Sequence, residues 1–198
     1  MVDIDGVISL FGVPERDDGG DTPPGGSLHA VDGTVHFLSA TAAAHLLELD
    51  GLYELVWASG WEERADEHLP RLLGLPAGLA HVSFDREAGG GGAHWKLEAI
   101  ERFAQGRALA WVDDCFNDAC RRWAAARESP TLLVATDPRR GLTAIETERL
   151  REWATAGAGA RATAAGGGSA TGAQPAAGGG EGGASASRAG IASETAAP

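Results

Sequence analysis

Four short apolar runs, each bounded by turn-forming residues, punctuate the chain: Tyr53 to Ala58, Leu79 to Phe84, Ala108 to Val112 and Thr131 to Ala135. Runs of this length without polar alternation fit strands buried on both faces. Between and after them the apolar positions take a helical spacing, over Ala40 to Leu49, Trp61 to Leu73, His94 to Gln105, Asn117 to Arg127 and Ala144 to Ala154. Strands alternating with helices predict an α/β fold, an open and mostly parallel sheet with helices on both faces, because each parallel crossover must run over one face of the sheet. Upstream, Leu28 to Leu38 alternates around Val31-Asp32-Gly33-Thr34, the pattern of a hairpin with an Asp-Gly turn. Ser9 to Gly26 is rich in Gly, Pro and Asp, so the insertion after the first strand reads as a small flap and not as a cap domain. That first strand is short. Only Met1 and Val2 precede Asp3, where a central strand runs about five or six residues, and the expectation is a natural start several apolar residues upstream.

Composition changes this picture at the C-terminal end. From Thr155 onward the 198-residue chain is nearly all Ala, Gly, Ser and Thr, with Ile191 as its one large apolar side chain, too little apolar surface to offset the entropy of ordering it. The division is therefore a globular domain over 1–154 and a disordered Ala/Gly-rich tail over 155–198. The formal net charge of -12 belongs to the domain, since Arg161, Arg188, Glu181 and Glu194 cancel in the tail. An acidic surface disfavours non-specific nucleic-acid binding, although a bound cation and a few arginines can reverse the field within one cleft. Cys115 and Cys120 form neither a disulfide framework nor a zinc set. With no basic-then-apolar leader and no apolar stretch near the ~20 residues that span a bilayer, the expectation is a cytoplasmic protein with no membrane partner. The pattern specifies no oligomeric state.

The polar residues that could carry chemistry sit where the apolar runs end. Asp3-Ile4-Asp5-Gly6-Val7 puts two carboxylates on one side of an extended segment, just where a glycine lets the chain turn away. Ser59 follows the run Leu55 to Ala58, where its hydroxyl and the backbone of Gly60 could cap the next helix or bind an anion. Lys96 is the only lysine among sixteen basic residues. Trp111-Val112-Asp113-Asp114 ends another buried run in acids, with Asp118 four positions after Asp114; hard oxygen donors of this kind suit magnesium. Singly, each has a plain structural reading as a cap, a solvated acid or a surface lysine.

In this order, Asp-x-Asp-Gly-Val, then an apolar run ending in Ser, then Lys, then Asp-Asp-x-x-x-Asp, the four elements resemble the motifs of the haloacid-dehalogenase (HAD) superfamily of phosphatases. Val56-Trp57-Ala58-Ser59-Gly60-Trp61-Glu62, His94-Trp95-Lys96 and Trp111-Val112-Asp113-Asp114 look like a small bacterial branch predicted to act in RNA repair. The resemblance covers Met1 to about Ala154. It implies a three-layer Rossmann-like fold with a mostly parallel five-stranded sheet, a small flap and no large cap. It also implies that Asp3 is a nucleophile forming an aspartyl phosphate, that Asp5 is the acid and base, and that Ser59, Gly60 and Lys96 hold the phosphoryl group. A magnesium ion would be held by Asp3, the Asp5 backbone carbonyl and Asp114, with Asp118 in or just behind that set. Asp114 is favoured over Asp113 as the ligand, because the superfamily often has glycine at the latter position. A capless site implies a phosphorylated substrate of large size, such as a nucleic-acid end, although a small metabolite also fits. Two other readings use the same residues: a receiver-type signalling domain, which the motif order opposes, and a catalytically inactive protein that keeps the fold for binding.

Overall fold

The computed structural model describes residues 1–14, 23–85 and 92–166, with side chains to 157. The chain opens with Met1–Asp3, turns at Gly6, and enters a three-stranded antiparallel sheet of β1 (Ser9–Leu10), β2 (Gly26–Val31) and β3 (Thr34–Ser39), in the order β1-β3-β2. Asp32 and Gly33 join β2 to β3 with φ of 50° and 80°. That left-handed pair is what a two-residue hairpin turn requires, so the Asp-Gly expectation is met. The part of the expected flap over 15–22 lies outside the described residues.

Ser39 then starts α1 (Ala40–Leu47), its hydroxyl accepting from Ala42 N–H at 3.0 Å. There follow β4 (Val56–Trp57), α2 (Arg64–Leu73), β5 (Ala80–His81), a 3-10 turn at Ala93–Lys96 continuous with α3 (Leu97–Ala104), β6 (Leu109–Asp113), α4 (Asp118–Ala126), β7 (Thr131–Ala135) and α5 (Ala144–Gly166). Each apolar run of the sequence holds a strand and each amphipathic segment a helix. The last helix continues beyond Ala154 to Gly166, and the remainder of the Ala/Gly-rich tail lies outside the described residues.

β4 pairs with β5 and β6 with β7, both parallel. A single five-stranded sheet is not what the ladders form; the sheets are small, and Val2 touches both pairs only through isolated parallel bridges to Trp57 and Val112. The shortfall has local causes. Asp3 is followed at once by the turn at Gly6, and the Phe84 N–H, expected within a strand, donates to the Glu62 carboxylate at 2.7 Å instead of a neighbouring strand. The contacts around Val2 are nonetheless well formed. Val2 N–H donates to the Val56 carbonyl at 2.9 Å, Ala58 N–H to Val2 at 2.8 Å, Asp3 N–H to Val112 at 3.0 Å and Val112 N–H to Met1 at 3.0 Å.

Alternation along β4 and β6 sends side chains into two separate cores. Trp57 and Val112 join Ile4, Ile8, Leu46, Leu69 and Leu150 on the side of α1, α2 and α5. Val56 and Trp111 join Val82, Ile100 and Cys120 on the side of α3 and α4. Helices therefore cover both faces, as the apolar runs required. No helix among the described residues is long and apolar enough to cross a membrane.

Candidate functional site

Parallel strands present all their C-terminal ends at one edge, and that edge gathers the polar residues. Asp3 emerges between β4 and β6 because Val2 bonds to Val56 and Ala58 on one side while Met1 and Asp3 bond to Val112 on the other. Ser59 leaves the end of β4, and Asp113 and Asp114 stand at the end of β6. Together with Asp5, Gly60, Trp95 and Lys96 they line a cleft of about 220 Å³.

At the bottom of the cleft Lys96 bridges two acids. Its Nζ lies 2.7 Å from Asp3 Oδ2 and 2.8 Å from Asp113 Oδ2, and all three side chains are almost fully enclosed. The 3-10 turn aims the ammonium here, and Ala93 N–H, donating to the Cys115 carbonyl at 2.8 Å, ties that turn to the end of β6. Burying ions costs several kcal/mol each unless partners compensate, and the partners here are few. Asp3 accepts from Ile4 N–H at 2.8 Å through Oδ1, and Asp113 accepts from Cys115 N–H at 3.0 Å through Oδ1. Burial pushes the Asp3 carboxyl up to about 7 despite the attraction of Lys96, with Asp113 adding to the rise. Burial alone would lower the Lys96 ammonium, but Asp3 and then Asp113 hold it above the usual lysine range. Burial, followed by the charge of Asp113, also raises Asp114.

One ligand oxygen from each of Asp3, Asp113 and Asp114 falls within 4.8 Å of the others, a group that could hold a metal ion. Hard carboxylate donors are the right chemistry for a divalent cation of the magnesium type. Asp3 and Asp113 each have both carboxylate oxygens engaged, by Lys96 and by the N–H of Ile4 or Cys115, whereas Asp114 stands half-buried at the cleft wall. Room for Asp114 depends on Gly6, where an added Cβ would lie 2.4 Å from the Asp114 Cγ and where φ is +72°.

Asp5 sits higher in the cleft, its side chain 42% exposed. Trp61 Nε1 donates to Asp5 Oδ2 at 3.1 Å, and His36 Nδ1 stands 3.9 Å from Asp5 Oδ1. Ser59 is only 1% exposed and its Oγ has no hydrogen-bond partner among the described residues. It does not cap a helix, since α2 begins only at Arg64, after Glu63. A buried hydroxyl without a partner loses the free energy of its hydration, so one facing a cleft is suited to a polar ligand.

No family model, curated protein or solved structure matches the chain. The reading of the site therefore rests on its own residues.

Of the residues singled out from the sequence, Asp3, Asp5, Ser59, Gly60, Lys96 and Asp114 share the cleft, while Asp118 does not. Asn117 caps α4, accepting from Ala119 and Cys120 N–H, and Asp118 at the next position turns to solvent against Arg121 at 3.4 Å. Sequence reasoning missed Thr136, whose hydroxyl donates to the Gly6 carbonyl at 2.9 Å and whose N–H donates to the Asp113 carbonyl at 3.2 Å, locking the two acid-bearing turns together. A polar residue directly after the run Thr131 to Ala135 was its only signal. His36 and Trp61 were missed as well. A larger cavity of about 820 Å³ opens at the opposite end of the strands beside Met1, Tyr53, Val56, Phe103 and Trp153. Glu54 and Arg107 in its lining pair with each other at 2.6 Å, so it offers apolar volume without a comparable reactive group.

Proposed function

We propose that this protein is a magnesium-dependent phosphohydrolase of the HAD type, acting on a phosphomonoester through an aspartyl phosphate on Asp3. The observation that carries the reading is the convergence of Asp3, Asp5, Ser59, Lys96 and Asp114, from four separate stretches of sequence, in one cleft. In the finer reading of the fold, β5, β4, Met1–Asp3, β6 and β7 act as five neighbouring parallel strands of a Rossmann-like layer, joined by the two bridges of Val2. The β1-β3-β2 sheet is the flap.

In the proposed reaction an Asp3 carboxylate oxygen attacks phosphorus, forming a P–O bond as the bond to the leaving oxygen breaks, while Asp5 delivers its proton to that oxygen. Asp5, now ionised, takes a proton from water as the water attacks the aspartyl phosphate, which returns Asp3 as carboxylate and releases inorganic phosphate. Ser59 Oγ donates to a phosphoryl oxygen, and Lys96 offsets charge both on Asp3 and on the transferring group. Asp3 and Asp114, with the Asp5 carbonyl, are the residues that would hold magnesium. When bound, that ion supplies Lewis-acid stabilisation of phosphoryl charge and keeps Asp3 ionised below its metal-free range. An open cleft with, among the described residues, the flap beside it and no larger cap fits a large substrate, such as a phosphorylated nucleic-acid end.

The test is phosphate release by the purified chain from a panel of phosphomonoesters and 5′- and 3′-phosphorylated oligonucleotides, with and without magnesium. Turnover that needs magnesium and disappears in Asp3→Asn is the expected result. Absence of turnover across the panel, with magnesium still bound, overturns the reading in favour of a binding role for the same fold.

A further inference from the structure

The acid that the proposed reaction asks most of is the one held least. Asp3 is fixed by Lys96 and Ile4 N–H, whereas Asp5 projects into the open part of the cleft, where an unsupported carboxylate samples several rotamers. Two side chains from distant parts of the sequence bracket it. Trp61 Nε1 donates to Oδ2 at 3.1 Å, and His36 reaches the other oxygen at 3.9 Å. His36 is itself fixed twice, by a hydrogen bond between Nδ1 and Ser9 Oγ at 2.8 Å and by edge-on packing against Trp61, with ring centroids 4.9 Å apart and planes at 69°. Ser9 and Trp61 are buried, so neither support is a loose surface contact.

His36 belongs to β3 of the flap and Trp61 to the turn that carries Ser59 and Gly60. The same two parts are joined at the hairpin tip, where Asp32 pairs with Arg64 at 3.1 Å and Arg64 donates to the Gly60 carbonyl at 3.2 Å. The flap, the phosphoryl-binding turn and the Asp5 carboxylate are thus one connected set.

From this geometry we infer that Trp61 and His36 are positioning residues for Asp5, and that the flap serves the reaction by aiming the acid at the leaving oxygen. The inference rests on the phosphohydrolase reading. The indole N–H fixes one carboxylate oxygen and the imidazole limits where the other can swing, so the proton-bearing oxygen faces the scissile bond. Misplacement of a catalytic group by ~1 Å can cost on the order of a hundredfold, so loss of either support has a measurable consequence.

A leaving group that departs as a stable anion needs no proton, whereas an alkoxide does. The experiment therefore compares kcat/KM, which covers binding and the first phosphoryl transfer but not hydrolysis of the aspartyl phosphate, for p-nitrophenyl phosphate and for a simple alkyl phosphate. The variants are Trp61→Phe, which keeps the ring and removes the donor, His36→Ala, and His36→Asn, which keeps a polar atom near the Nδ1 position. Thermal melts check that each is folded. We expect Trp61→Phe and His36→Ala to lose about tenfold or more on the alkyl ester and less than about twofold on the aryl ester, with His36→Asn regaining most of the loss. Equal losses on both esters, or none on either, overturn the positioning role while leaving the phosphohydrolase reading intact. Wild-type protein without Asp3-dependent turnover removes that reading and this inference with it.

Discussion

Asp3 and Asp5 are two residues apart and occupy opposite environments. Asp3 is 7% exposed, paired with a buried ammonium and pushed up to about 7; Asp5 has a side chain 42% exposed, bracketed by an indole N–H and an imidazole. In the proposed reaction, a carboxylate that attacks along one line would gain from rigid burial, and one that exchanges protons with both ester and water would gain from access. One short step of chain supplies both, because the backbone bends at Ile4, whose carbonyl accepts from the turn that follows, and so leaves Asp3 among the strands while Asp5 stands at the Gly6 turn nearer solvent.

The largest effect that contrast forecasts is catalytic. Asp3→Asn should abolish phosphate release, a loss of at least about a thousandfold in kcat measured with the best substrate of the panel, since an amide cannot form the acyl phosphate. The same change should stabilise the metal-free fold. A carboxyl raised to about 7 in the folded chain, against about 4 unfolded, takes up a proton on folding, so its charge costs stability above pH 7 and nothing below about pH 4. Thermal melts of metal-free protein should show Asp3→Asn above wild type at pH 8, with the gap closing toward pH 5. A gap that widens toward pH 5 contradicts the assigned direction.

Removing the ammonium gives the opposite sign. Lys96→Met leaves Asp3 and Asp113 buried beside each other without the cation that lies 2.7 and 2.8 Å away, and breaking a buried pair in this way costs about 3–5 kcal/mol. Urea unfolding at pH 8 measures the loss. It should shrink as pH falls, because protonating Asp3 removes one of the two stranded charges.

A third expectation separates metal binding from turnover. Magnesium at a hundred times its dissociation constant stabilises a folded site by about 2.7 kcal/mol, and its ligands must be ionised, so the rise in melting temperature should be larger at pH 8 than at pH 6. Asp114→Asn should remove most of that rise while Asp118→Asn leaves it unchanged, given that Asp118 lies outside the cleft beside Arg121. Equal effects from the two variants contradict the assignment of Asp114.

Both acids of this contrast were legible in the sequence, and the side chains that bracket the outer one were not. Asp3, Ser59 and Asp114 each terminate an apolar run, and in a parallel arrangement strand ends share an edge, so local pattern was enough to bring them together. Lys96 stood out as the only lysine of the chain. β7 matches its apolar run residue for residue, whereas β4 and β5 are shorter than theirs, and beyond β5 the Glu62 carboxylate claims the Phe84 N–H that periodicity assigns to a ladder. Asp118, given a metal role only by the resemblance, stands outside the cleft, since Asn117 starts the helix and the next side chain then faces solvent. His36 reaches Asp5 only through tertiary folding of a hairpin whose alternation marks its buried face without naming what that face covers, and Trp61 reaches it from the turn after β4.

The smallest predicted effect tests how far the flap extends the influence of Asp5. Asp32 and Arg64 are both about half exposed, so their ion pair is worth little, and Asp32→Asn, which removes the charge and tolerates the left-handed backbone of the turn, should change unfolding free energy by less than about 1 kcal/mol. Its reach to Asp5 runs through Arg64, Gly60 and Trp61, and each link leaves slack. The expected loss in kcat/KM on the alkyl ester is about twofold, well short of that from Trp61→Phe. If Asp32→Asn matched Trp61→Phe, the placement of the whole flap would govern Asp5 and the single indole N–H would not. If Trp61→Phe alone were large, the acid would be aimed by one hydrogen bond, and the hairpin tip would serve only to keep His36 packed against the ring that makes it.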